Sequence, residues 1–224
     1  MDRYVEPNPD GAAMLSIDVQ RDFTDPGAPA EIPGTAEAAP AMGRLARAFR
    51  ERSRPIVHVV RLYRRDGSNV DPCRRAAVEA GEEIVAPGSD GAELVSELKP
   101  SASVRLDAEA LLSGELQRLD DAEWAMYKPR WGAFYRTPLA DHLEALSVDT
   151  LVVCGCNFPN CPRTTVYEAS ERDFRVVLVD DAVSGTYERG LDEVAGIGVV
   201  VVDTDEVIDW LAGEPLEAVE GAGP

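Results

Sequence analysis

A cysteine where a buried strand gives way to a helix is a position from which a thiol can do chemistry. Residues 150–169 begin with the strand-like run Leu151-Val152-Val153, break at Gly155 and cross a polar loop. They restart as a helix whose first residue reads as Pro162, which makes Cys161 the N-cap. The positive end of the helix dipole and the unpaired first-turn N–H groups favour thiolate there. A thiol that attacks a carbonyl also needs a base for its proton and a cation to balance the charge. Asp18 and Lys128 stand at the ends of two other strand-like runs, residues 12–19 and 122–128. Strands of a parallel sheet end on one common edge, so residues distant in sequence converge there. Each has a plainer explanation: Asp18 as a loop cap, Lys128 as a solvated strand end, Cys161 as a small packed side chain. Together they make a nucleophile (Cys161), its proton carrier (Asp18) and the electrostatic partner of that carrier (Lys128).

The rest of the chain supplies elements that would hold such a set. Further strands are expected at 56–62, 175–179 and 199–202, apolar on both faces as buried parallel strands are. Helices alternate with them: 35–52, with Met42, Leu45, Ala46 and Phe49 on one stripe, then 137 onward with Pro138 first, 162–172, 187–195 and 204–212. This alternation predicts an α/β, three-layer Rossmann-like fold with right-handed crossovers. The whole chain, 1–224, reads as one domain with its core over about 12–210. Residues 63–120 are weakly patterned and are expected to form a lid or an oligomer contact. Residues 213–224, rich in Gly, Pro and Glu, are expected to be a flexible tail.

Composition narrows the partners. With 22 Lys plus Arg against 41 Asp plus Glu, the net charge of -19 repels nucleic acid and anionic membranes. No apolar run reaches membrane-spanning length, and the first residues show no secretory signal, so a cytoplasmic protein acting on a small molecule is expected. The four cysteines are too few and too clustered for a disulfide framework. Cys154, Cys156 and Cys161 with Cys73 invite a rival reading as a zinc or iron–sulfur site, but the paired spacing of zinc modules is missing. Trp131, Phe134 and Phe158 lie close in sequence to the proposed chemistry and are expected to line a pocket, and Arg61, Arg130 and Arg163 are candidates to orient a carboxylate.

Several blocks in order carry a resemblance. They are Ile17-Asp18-Val19-Gln20-Arg21-Asp22-Phe23; Lys128 followed by Gly132-Ala133-Phe134 and Thr137-Pro138-Leu139; Val153-Cys154-Gly155 leading to Cys161 and Thr165; and Val177-Leu178-Val179-Asp180-Asp181-Ala182. Over about 12–210 the sequence resembles the isochorismatase-like cysteine hydrolases, a superfamily that includes nicotinamidase and N-carbamoylsarcosine amidase. The resemblance implies a six-stranded parallel sheet flanked by helices. It implies Asp18, Lys128 and Cys161 as catalytic residues, an oxyanion hole from the N–H groups of Asn157 and Cys161, and a cis peptide between Cys156 and Asn157. Phe23 is a further candidate pocket residue, and the resemblance implies assembly as a homodimer or homotetramer.

The sequence departs from the family in the loop Asn157-Phe158-Pro159-Asn160 and at Pro162, where valine is usual. Nicotinamidases take a metal through an Asp and histidines after the second strand, whereas this chain has only His58, inside that strand, and His142, in a helix. No metal and no cofactor is therefore expected. The expected activity is metal-independent cleavage of a C–N bond in a small amide, carbamoyl or lactam compound through a thioester. An enol-ether hydrolase of the isochorismatase type and a non-catalytic binding member of the fold are the alternatives.

Overall fold

The computed structural model describes residues 2–216, so the part of the expected tail from 217 onward lies outside the described residues. In chain order the elements are β1 (Ala12–Ile17), α1 (Arg21–Thr24), α2 (Thr35–Glu51), β2 (Ile56–Val60), α3 (Pro72–Glu79), α4 (Ala108–Ser113), β3 (Gln117–Asp120), β4 (Glu123–Tyr127), α5 (Leu139–Ala145), β5 (Thr150–Gly155), α6 (Cys161–Ser170), β6 (Arg175–Val183), α7 (Glu188–Ala195), β7 (Val200–Val202) and α8 (Thr204–Leu211).

The strands form one sheet in the order β3-β4-β2-β1-β5-β6-β7. Every neighbouring pair is parallel except β3 and β4. The sheet thus has seven strands, one more than the six expected. The added strand, β3, reads Gln-Arg-Leu-Asp, alternates half-buried and exposed side chains, and pairs only at the sheet edge. A strand with one apolar residue gives no hydrophobic signal, which is why the sequence reads there as loop.

β1, β2 and β5 are buried along their whole length, which accounts for their unbroken apolar runs. Each fully buried Val, Leu or Ile contributes about 1.5–3 kcal/mol by leaving water. From β1 the chain moves outward through β2 to β4, then returns to place β5 on the other side of β1. The ends of β1 and β5 therefore form a topological switch point, where open α/β sheets bind ligands. Gly155 closes that point: its φ is 121°, and a Cβ would lie 2.2 Å from the Ile17 carbonyl oxygen. Only glycine lets the end of β5 press against β1, where the Cys156 N–H donates to Ile17 O at 2.9 Å.

Residues 63–120 are more ordered than their weak pattern suggests. They carry α3, α4, β3 and a satellite core in which Tyr63, Val70, Val78, Ile84 and Leu94 are buried with Phe23 and Cys156. This segment packs as a wall beside the ends of β1 and β2.

One polar chain crosses the main core. Arg50 holds Glu123 with two hydrogen bonds of 2.7 Å, Glu123 Oε1 lies 2.7 Å from His58 Nε2, and His58 Nδ1 lies 2.7 Å from Ser16 Oγ. The Ser-His-acid order resembles a hydrolytic triad, but Ser16, His58 and Glu123 are only 1%, 0% and 1% exposed and do not line the cavity described below. Burial alone would raise the Glu123 pKa; the bonds from Arg50 and His58 outweigh it and lower the value from 4.5 to about 2. A depressed folded-state pKa gives stabilisation that is complete above 4.5 and fades as pH falls toward 2, about 3 kcal/mol in all. Denaturant titrations across that range should show Glu123→Gln flattening the acid limb of the stability curve.

Candidate active site

Three strand ends meet at the site. Asp18 follows β1 with φ 56°, an uncommon conformation for a non-glycine residue, and its N–H donates to Val59 O at 2.8 Å. Lys128 follows β4, its N–H donating to Val60 O at 3.0 Å. Because β2 lies between β4 and β1, the lysine side chain crosses the end of β2 to reach Asp18. It is 0% exposed, and Nζ donates to Asp18 Oδ2 at 2.7 Å and to Arg130 O at 3.2 Å. The other carboxylate oxygen, Oδ1, is buried without a hydrogen bond among the described residues. An acceptor held open beside a buried ion pair is placed to take a proton.

Cys161 is the first residue of α6 and Asn160 its N-cap, which corrects the expected N-cap position of Cys161 by one residue. Proline fits the first turn because that turn leaves its N–H groups unpaired anyway, so Pro162 marked the turn but not its first residue. Burial first, then the negative charge of Asp18, push the Cys161 thiol up to about 11, against the pull of Lys128 and Arg61. Burial and the facing carboxylate thus oppose the pull toward thiolate expected from the helix start. The thiol and the carboxylate interact without a well-aligned hydrogen bond, since Oδ1 has no partner of acceptable geometry. The ultraviolet thiolate absorbance of wild type minus Cys161→Ser should be absent at neutral pH and appear only as pH approaches about 11. A signal already present at neutral pH would contradict this placement.

The loop after Lys128 is fastened to the cysteine's helix. Thr165 Oγ1 accepts from Ala133 N at 3.1 Å and donates to Cys161 O at 2.8 Å, while Glu168 accepts from Phe134 N at 2.9 Å. The Cys156–Asn157 peptide is cis. Neither the Asn157 nor the Cys161 N–H is taken by a backbone acceptor among the described residues, and the first residue of a helix has no partner within it.

Asp18, Cys161, Asn157, Phe23 and Trp131 line one small, partly open cavity. Two expected pocket residues are elsewhere. Phe134 is turned into the core, its ring 5.8 Å from Phe174 and under the Arg172 guanidinium. Phe158 is 0% exposed and packs edge-on against Tyr187 at 5.6 Å, next to Gly190 of α7. Nearness in sequence does not fix direction; each backbone turns its aromatic ring away from the strand ends.

Of the candidate arginines, Arg163 bonds the Tyr187 hydroxyl at 2.6 Å and pairs with Glu193, away from the cavity. Arg130 has a side chain 39% exposed and lies 4.0 Å from Asp71, outside the cavity lining. Arg61 is buried in the cavity wall. Gln20 holds its backbone from both sides, accepting from Arg61 N at 2.7 Å and donating to Arg61 O at 2.8 Å. Arg74 from α3, Ile32, Cys156 and Asn160 complete the lining; Arg74, Ile32 and Gln20 carried no site expectation from the sequence. Gln20 stood in the Ile17–Phe23 block without a role of its own, and Arg74 lay in the weakly patterned segment.

A resident metal does not fit. Cys73 is exposed on α3 while the other cysteines are buried, and no three His, Cys, Asp or Glu side chains converge as a metal site among the described residues. His58 is committed to the core chain, His142 packs edge-on against Trp124 at 4.7 Å, and the cavity carries two guanidinium groups that repel a cation.

A family model described as the isochorismatase domain matches residues 12–206. The chain belongs to the isochorismatase family. This family member is 31% identical to an isochorismatase family protein from Desulfovibrio vulgaris of known crystal structure, covering 90% of this chain and 98% of that one with a TM-score of 0.76. It is 29% identical over 203 residues to an Arabidopsis thaliana protein described as a probable inactive nicotinamidase, covering 88% of this chain and 93% of the relative. It is 26% identical over 208 residues to an N-carbamoylsarcosine amidase from Arthrobacter, covering 91% and 72%. The family's relatives thus include amidohydrolases. No helix among the described residues is long and apolar enough to cross a membrane.

Proposed function

We propose that the protein is a metal-independent cysteine hydrolase that cleaves a C–N bond of a small amide, carbamoyl or lactam substrate through a thioester on Cys161. The observation that carries this reading is the buried Lys128–Asp18 pair, with Oδ1 left open, in the same cavity as Cys161.

Asp18 accepts the thiol proton as Sγ attacks the carbonyl carbon. The oxyanion is held by the Asn157 and Cys161 N–H groups. As the tetrahedral adduct collapses, Asp18 passes the proton to the leaving nitrogen and the C–N bond breaks. Asp18 then takes a proton from water, whose oxygen attacks the thioester, and returns it to the departing sulfur. The high thiol pKa fits this order, because the thiolate forms only when its proton has somewhere to go.

An ammonia-release screen across small amides, ureido acids and lactams tests the reaction class. Turnover of at least one compound supports the hydrolase. Binding of these compounds with no release from any of them supports a non-catalytic member, the reading favoured by the description of the Arabidopsis relative.

A further inference from the structure

The hydrolytic steps use Asp18, Lys128 and Cys161 and leave Arg61 without a task. Its guanidinium is almost wholly buried at 1% exposure. Nη1 lies 2.9 Å from Asp71 Oδ2, an ion pair by distance, yet its N–H groups are misdirected, and Nε, Nη1 and Nη2 all lack a hydrogen-bond partner among the described residues. Leaving one such buried donor unpaired costs about 1–3 kcal/mol, more for a charged group. The group is nevertheless held in place. Gln20 clamps its backbone, the plane lies 5.5 Å from the Trp131 ring and 5.9 Å from the Tyr63 ring, and Tyr63 OH donates to Asp71 Oδ2 at 2.7 Å. A second cation, Arg74, lines the same cavity with its guanidinium 5.3 Å from the Phe23 ring.

The charges of this wall decide the sign and size of a ligand. Lys128 is matched by Asp18 and Arg61 by Asp71, while Arg74 has only the Tyr63 hydroxyl at 3.5 Å. One positive charge is left over. A guanidinium fork matches the bidentate geometry of a carboxylate or a phosphate, and a carboxylate carries the single negative charge that the wall leaves unmatched. Cys161 and the two guanidinium groups line one small pocket, which admits only a short molecule between the two ends.

We propose that Arg61 and Arg74 form a carboxylate subsite beside Cys161, so that the substrate is a short monoanionic amide or ureido acid with its carboxylate on the guanidinium groups and its scissile carbonyl at the thiol. The Cys161 end of this assignment rests on the hydrolase reading; the carboxylate end does not.

Calorimetric titration of the full-length Cys161→Ala protein separates the two. The probes are malonamate, succinamate and glutaramate, their neutral diamides, and inorganic phosphate. At least one half-amide should bind tenfold or more tighter than its diamide, and Arg61→Gln in the same background should abolish that preference. If Arg61→Gln does not fold, Arg74→Gln, on a half-buried helical side chain, should weaken the same half-amide by at least threefold. Equal binding of acids and diamides, a preference that survives both substitutions, or phosphate outcompeting every half-amide would overturn the subsite. With wild type, ammonia released equally well from diamides and half-amides removes the subsite but keeps the hydrolase. Carboxylate binding without ammonia from any probe keeps the subsite and removes the hydrolase.

Discussion

Cys161→Ala is expected to lower ammonia release by at least about 10⁴-fold, because the nucleophile is lost and only binding and the oxyanion hole remain. The fold should survive. The side chain is small and 5% exposed, and its removal leaves a void of one sulfur atom at the cavity wall, worth about 1 kcal/mol of stability. Cys161→Ser should be nearly as inactive, since a hydroxyl is far harder to deprotonate than a thiol already pushed up to about 11 by its surroundings. Steady-state kinetics with thermal melting distinguish this outcome from unfolding: kcat collapses while the melting temperature stays within a few degrees of wild type.

The second large effect falls on the ion pair. Lys128→Met leaves the Asp18 carboxylate buried with no counter-ion, and Asp18→Asn leaves a 0% exposed ammonium in the same position. Each single replacement should cost about 3–5 kcal/mol of stability, because the surviving charge keeps its desolvation penalty and loses its attraction. Each should also lower kcat by about 10²–10⁴-fold through loss of the proton carrier or its partner. The double replacement Asp18→Asn/Lys128→Met should recover most of the stability and none of the activity. Denaturant unfolding and kcat measured on the three variants test this directly. Equal stability losses that simply add in the double variant would show that the two side chains do not act as a pair.

The fold was legible where both faces of a strand are buried. Ala12–Ile17, Ile56–Val60 and Thr150–Gly155 announce themselves as apolar runs, and the α2 stripe of Met42, Leu45, Ala46 and Phe49 follows helical spacing. The edge strand Gln117–Asp120 was invisible because edge pairing needs backbone groups, not apolar side chains. The convergence of Asp18, Lys128 and Cys161 was legible because strand ends collect on one side of a parallel sheet, and that rule depends only on element order. The directions of Phe134 and Phe158 were not, since a loop residue one position away from a site can face the opposite way. The forces opposing thiolate were not legible either. The helix start pulls toward thiolate, but burial and the facing carboxylate are tertiary effects that outweigh it, and neither leaves a local mark. Arg61 occupies the intermediate case: its place near the end of the second strand was readable, whereas its unpartnered donors appear only once Asp71 and Gln20 are placed around it.

The central claim is a covalent thioester on one sulfur. Wild-type enzyme turning over the best compound from the ammonia-release screen should be quenched in acid and its peptides weighed by mass spectrometry. An acyl mass gain is expected on the peptide that carries Cys161, formed at least as fast as ammonia appears in the steady state and removed once the substrate is exhausted. Turnover in which the acyl mass resides on any other side chain, Cys156 included, would contradict it.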